Sequence, residues 1–429
     1  MIIRMIKKLS TIAILGVITC LCLFSGCGKI LEKVEILQYE LNSNGDYYII
    51  TGKTDKAPKK LEIPSEHNGL PVREIAINAF SGWLELDSLT IPTSITRIGD
   101  NAFYGCKNMQ NLTFKNPKIG DDTPNGKYNG FNEGYLEIGY SAFYDCDNIT
   151  KLILGTTVKK IESNAFYDCD NLFEISIARN VEEIAFDAFY GCDNLRLFSV
   201  SEDNEYYSTF DGVLYNKDVF GPTNLLYYPA GKTDETFGVP DSVTEIAPYA
   251  FFRNKYLQLV DLYNIAMVRQ YAFKECTALA NITAQNLNFV EVEAFENTAW
   301  LNNQTSEMVV LGNVLMKYQG TAKELSIENV KSIAPYAFAN NESLETITLN
   351  LGLINIGDKA FFECKNLKTV YISNTNSLIF VSQASFDSNA DGRVIYVPFP
   401  LYNEYLENAL WQQYKDSVLV HKTDIDFQT

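Results

Sequence analysis

The pair Ala-Phe recurs at a fixed stride, and that stride constrains the fold more than any other property of the chain. Its Phe falls at Phe80, Phe103, Phe143, Phe166, Phe189, Phe251, Phe273, Phe295, Phe338 and Phe361, each preceded by Ala. Most intervals are 22 or 23 residues; those of 40, 62 and 43 are a period plus an insertion or a degenerate repeat. Other positions keep step. Five residues before each Phe is an aliphatic residue, from Ile75 and Ile98 to Ile356. Six residues after it comes Leu86, Met109, Ile149 or, in the other repeats, Leu. Nine residues after, the position is apolar except at Gln304. One such unit cannot bury its own apolar stripe, so units must stack, with equivalent side chains over one another in a continuous core.

A period of about 20–29 residues marks a leucine-rich-repeat solenoid, an α/β repeat of 22–23-residue units with short parallel strands. Leu152-Ile153-Leu154, Ile175-Ser176-Ile177 and Ile347-Thr348-Leu349 have apolar ends and an outward centre, as short strands should. They are expected to stack in parallel, about 4.8 Å apart, in ten to twelve coils. The segment around each Ala-Phe is expected to be a helical or 3₁₀ turn with its Phe inward. The repeats AFYGC, AFYDC and AFYGC, with IPTSITRIG at 91–99 and VPDSVTEIA at 239–247, resemble the BspA-like leucine-rich-repeat proteins of bacterial surfaces. The resemblance covers residues of about 46 to 420. It implies surface exposure, binding and adhesion, without a particular partner.

Six cysteines, Cys106, Cys146, Cys169, Cys192, Cys276 and Cys364, each lie three residues after a repeat Phe. Close CxxC pairs are missing, so zinc has no ligand logic here. Stacked Cβ atoms one coil apart would stay beyond the usual disulfide separation of about 3.5–4.5 Å. Buried structural thiols bonded to loop backbone are expected. No metal and no cofactor is expected. DSNADG at 387–392 opens like a calcium loop, but the position of its bidentate Glu is Pro398; a tight turn before a strand at Val394 to Val397 is the better reading. His67 and His421 are the only histidines, and no P-loop, GxSxG or HExxH motif is present. No catalytic residue is assigned.

The amino end is organised differently. Arg4, Lys7 and Lys8 precede an uncharged run from Leu9 to Phe24, shorter than the roughly 20 residues of a membrane-spanning helix. LFSGC at 23–27 resembles a bacterial lipobox. That resemblance implies cleavage between Gly26 and Cys27 and lipid attachment to Cys27, whose acyl chains would form the membrane anchor. Residues 1–26 are thus read as a lipoprotein signal peptide, 27–45 as a tether, 46–399 as the solenoid and 400–429 as a C-terminal cap. In that cap Tyr402, Leu406, Ala409, Leu410 and Tyr414 fall on one helical face. Without the leader's three basic residues the chain carries 32 basic and 53 acidic residues. That balance argues against nucleic acid.

Residues 115–133 break the period with a Gly-, Asn- and Pro-rich loop, in which Tyr128 and Phe131 are candidates for binding contacts. TFDGVLYNK at 209–217 and VVLGNVLMKYQG at 309–320 read as hairpins turning at Asp211-Gly212 and Gly312-Asn313. Along the strands, Thr90, Thr113, Ile153, Ser176, Ser199, Asp261, Thr283, Thr348 and Tyr371 point outward as a candidate stripe. The reading is an extracytoplasmic, lipid-anchored protein that binds an extracellular protein or glycan. A spacer without a ligand and a wall-polymer hydrolase stay open as alternatives.

Overall fold

A computed structural model describes residues 35–117, 134–219 and 221–420. From Ile36 onward the chain forms one compact unit, a parallel-strand solenoid of about 15 coils. A typical coil has two strands. The first ends on the aliphatic residue five before Phe, and these strands pair in parallel: Ile75 with Ile98, Ile98 with Ile138, Ile161 with Ile184. The second lies about nine residues after Phe, as in Glu174–Ile177 and Leu197–Val200, and pairs Ile175 with Phe198. The inward residues are buried and the row between them is not, which is the alternation a half-buried strand requires.

The segment between the two strands is no continuous helix but a string of single turns closed by i→i−3 bonds, such as Ser81 N–H to the Asn78 carbonyl and Trp83 N–H to Phe80, and this corrects the expectation in part. Most of the Phe N–H groups donate across to the next coil, not along their own chain: Phe80 to the Ala102 carbonyl, Phe103 to Ala142 and Phe166 to Ala188, each at 2.8 Å. Aiming the N–H sideways requires left-handed backbone on both sides. Asn164 and Asp168, at φ 55° and 51°, flank Phe166; Tyr271 and Glu275, at 58° and 63°, flank Phe273. Asn and Asp tolerate that region, but a Tyr there is strained and must be held by its surroundings. The Phe rings stack inside, with centroids 5.0 Å apart from Phe80 to Phe103 and 5.1 Å at each of the next two steps.

More coils are present than Ala-Phe pairs, because Tyr228, Tyr318 and Phe386 fill the same place behind other residues. Tyr228 N–H bonds the Ala250 carbonyl and Tyr318 N–H the Ala337 carbonyl. Their rings stack on Phe251 at 4.7 Å and Phe338 at 5.0 Å. The first two belong to the hairpins, which are coils of the stack rather than additions to it. Tyr207–Phe210 pairs antiparallel with Val213–Asp218 around Asp211 and Gly212, both at positive φ as a type I′ turn needs. Met308–Leu311 pairs with Val314–Tyr318, and the latter strand continues in parallel to Ser332–Ile333. At each hairpin the apolar core divides, giving three clusters.

Both ends are closed. Leu37–Leu41 pairs antiparallel with Tyr48–Lys53, and Leu37 is buried. Part of the segment read as tether, 27–45, is therefore an N-terminal capping strand. At the other end the single expected helix is broken into a short helix Tyr402–Glu407, a 3₁₀ turn Gln412–Ser417 and a strand Val418–Val420 that joins the sheet. Its anchors are Tyr405 and Trp411, both fully buried, whereas Ala409 and Leu410 face solvent. Trp411 Nε1 donates to the Ile379 carbonyl at 2.8 Å, capping the last coil's open acceptor. Among the described residues no helix is long and apolar enough to cross a membrane.

Candidate binding surface

Cys27, Gly26, Tyr128 and Phe131 lie outside the described residues, so the surface is built from the solenoid alone. The cysteine ladder is structural. All six thiols are free and buried, and each Sγ donates to the carbonyl of the preceding coil's Phe, as Cys169 does to Phe143 at 3.3 Å and Cys276 to Phe251 at 2.9 Å. Where Cys is replaced by Asn254, Asn341 or Asn389, the amide nitrogen bonds backbone carbonyls of the coil before it. Burial pushes the Cys106 thiol up to about 12 and Cys364 to about 11, away from the reactive thiolate. Asn389 is thus the ladder member of DSNADG, whose chain runs on into the strand Val394–Val397. Among the described residues no group of three His, Cys, Asp or Glu is placed to hold a metal ion. His67 stacks on Tyr39 at 3.8 Å in the N-terminal hairpin, distant in sequence from any ladder thiol.

The outward strand stripe exists and is in register: Thr90 faces Thr113, Ile153 faces Ser176, Ser176 faces Ser199 and Thr348 faces Tyr371. Several of its polar groups are spent on one another. Ser199 Oγ donates to Ser176 Oγ at 2.9 Å, and Thr283 Oγ1 to Asp261 at 2.5 Å. Small hydroxyl residues in that arrangement serve the sheet.

The aromatic surface lies elsewhere, on the edge made by the Ala-Phe turns. The residue after Phe is Tyr in four consecutive coils, and Tyr104, Tyr144, Tyr167 and Tyr190 stack at 4.8, 4.7 and 4.8 Å. Tyr190 then meets Phe252 at 4.5 Å, and Tyr249 meets Tyr271 at 4.9 Å. The stacked faces cover one another, so ring edges and hydroxyls face outward. Tyr104, Tyr140 and Phe186 are 39, 48 and 46% exposed, in a fold whose inner Phe ladder already supplies the core. The signal for this strip in the sequence is the letter after Ala-Phe, which is Tyr in the four consecutive repeats AFYGC, AFYDC, AFYDC and AFYGC, at a position the core leaves half-exposed.

Carboxylates run beside the rings. Lys107 pairs with Asp145 at 2.7 Å and Asp147 at 3.4 Å, and Arg253 with Asp193 at 3.4 Å. Burial, then the neighbouring charge of Asp145, raises the Asp147 carboxyl; burial, then Asp170, raises Asp168. Where the first hairpin interrupts the turn edge, a cavity of about 30 Å³ opens among Phe186, Tyr190, Tyr249, Phe252 and Asp193. Asp193 Oδ1 is buried and accepts no hydrogen bond.

Stacked parallel strands, an inner Phe ladder and a Cys/Asn ladder at a 22–23-residue stride define a leucine-rich-repeat solenoid. The chain belongs to the BspA-type leucine-rich-repeat family: that repeat region, in 6 copies, matches residues 59–123, 126–213, 233–310 and 315–404. Among solved structures the chain is similar to the pneumococcal vaccine antigen PcpA, with 21% identity over 90% of this chain and 98% of that one, TM-score 0.48. It is also similar to a leucine-rich cell surface protein of Faecalibacterium prausnitzii, with 23% identity over 80% and 94%, TM-score 0.40. A leucine-rich-repeat protein of Eubacterium ventriosum matches with 19% identity over 83% and 93%, TM-score 0.40. No curated protein matches the chain.

Proposed function

We propose that this protein is an exported binding module, held at the bacterial surface by lipid on Cys27, whose solenoid engages an extracellular protein or glycan. The observation that carries the reading is the aromatic strip on the turn edge. Tyrosines that the core does not need, repeated over consecutive coils, supply rigid contact area at low entropic cost. The lipobox-like LFSGC at 23–27 supports the anchor, and membership of a repeat family built around extended surfaces supports binding over catalysis.

The test uses the chain from Gly28 onward, which contains the whole compact unit, against a panel of extracellular-matrix proteins and glycans. A parallel variant lacks residues 115–133. Saturable binding that survives the deletion supports a site on the solenoid; binding lost with it moves the site to the loop of Tyr128 and Phe131. No binding by a folded protein across a broad panel would favour a spacer. For the anchor, the full chain is produced in bacteria fed a labelled fatty acid. Label on the native chain and none on Cys27→Ser is expected; an unlabelled native chain ends the lipoprotein reading.

A further inference from the structure

The turn edge combines three features that the scaffold does not require. The first is the run of stacked, partly exposed rings from Tyr104 to Phe252. The second is an excess of negative charge along it: Asp145, Asp147, Asp168, Asp170 and Asp193 are met by Lys107 at one end and Arg253 at the other. Among the described residues no cation forms an ion pair with Asp168 or Asp170 in the middle. The third is the notch at the first hairpin. Its cavity of about 30 Å³ is about the share of volume one water occupies, which also suits an ammonium or one edge of a guanidinium. It is lined by Tyr190, Tyr249, Phe252 and Asp193, whose Oδ2 pairs with Arg253 while its Oδ1 is buried without a donor. Carboxylates and outward tyrosine hydroxyls are the acceptors that a partly desolvated cation bonds, and the carboxylates carry the charge.

We infer that the strip binds an extended polypeptide segment rich in Arg and Lys, one of whose cationic side chains seats in the notch on Asp193. This deepens the binding reading above and rests on it. The net charge of −18 favours the encounter at long range, and the unpaired middle of the carboxylate row gives it a place to settle.

The probe is a labelled oligo-arginine peptide, titrated into the chain from Gly28 onward at about 0.1 M salt, where the screening length is about 10 Å. A Gly-Ser peptide and a chito-oligosaccharide are the comparison ligands. Two charge-matched variants separate site from bulk charge: Asp168→Asn with Asp193→Asn on the strip, and Glu202→Gln with Asp203→Asn on exposed positions away from it. Saturable binding is expected, weakened about tenfold by the strip pair and unchanged by the other pair. Tyr190→Ser should weaken it as well, and melting curves establish that each variant is folded. Equal weakening by both pairs reduces the effect to net charge and overturns the inference, as does the absence of peptide binding. Chito-oligosaccharide binding lost in Tyr190→Ser would assign the strip to a glycan instead. A protein from the panel that binds the native chain and the strip pair alike would leave the binding function standing and this inference refuted.

Discussion

At the residue scale the ladder positions are the most constrained. A thiol that is buried and bonded to the Phe carbonyl one coil back does double duty as filler and donor, so the six coil cysteines should not react with a thiol reagent until the protein unfolds. Cys169→Ala should cost about 1–2 kcal/mol in denaturant unfolding, from the orphaned carbonyl and the small void. The opposite case is Tyr228, whose hydroxyl is buried without a partner; Tyr228→Phe should be neutral or stabilising by up to about 1 kcal/mol. Asp168 has a sign of its own. Its carboxyl is raised by burial and then by Asp170, so its ionised form opposes folding. The stability it allows is full below the ordinary carboxyl range and falls as pH rises through the raised value. Asp168→Asn keeps a residue suited to φ 51°, and should raise the melting temperature at neutral pH while giving no gain near about pH 3. A drop at neutral pH would contradict the assignment. The cysteine role was legible in the sequence because all six share one phase. The left-handed Tyr249 and Tyr271 were not, because nothing local in a Tyr announces positive φ.

At the element scale, stride and strand pattern decide most of the fold. The apolar-outward-apolar triplets fold as the strands they suggest, and the hairpins turn at Asp211-Gly212 and at Gly312. The Ala-Phe segment keeps the expected i→i−3 turns only at alternate residues, the others bonding to the next coil, and short apolar turns carry no periodicity to tell the two patterns apart. The same limit hid Tyr228, Tyr318 and Phe386, which replace the motif in space but not in letters. The C-terminal cap was visible as a break in the repeat. Of its expected helical face Tyr414 is buried and Tyr402 and Leu406 pack against the core, whereas Ala409 and Leu410 are exposed and the main anchors are Trp411 and Tyr405, fixed by the coil they cover. Phe166, stacked between Phe143 and Phe189, should lose about 3–5 kcal/mol on truncation to Ala. A loss below about 1 kcal/mol would mean that the inner ladder packs loosely.

At the scale of the whole molecule, the core divides at the two hairpins. Solenoid stability is close to a sum of coil and interface terms, so the weakest interfaces set where the stack opens. Native-state hydrogen exchange should show three cooperative blocks, bounded near residues 213–227 and 308–318. Trp411→Ala should lower protection in the last block while leaving the first unchanged; one uniform drop along the chain would refute this division. The sidelong bond from most of the Phe N–H groups to the next coil, usually to its Ala carbonyl, has a further consequence. The upper surface of one Ala-Phe coil is chemically the same as that of the coil beneath it, so the molecule has a length that its geometry does not dictate. Copying residues 144–166 in tandem would offer each new neighbour the donors, acceptors and ring face it already meets. Such a chain should gain one coil, about 4.8 Å, and keep both of its ends. The fold is in that sense a sentence that accepts another clause, and only its terminal caps say where it stops.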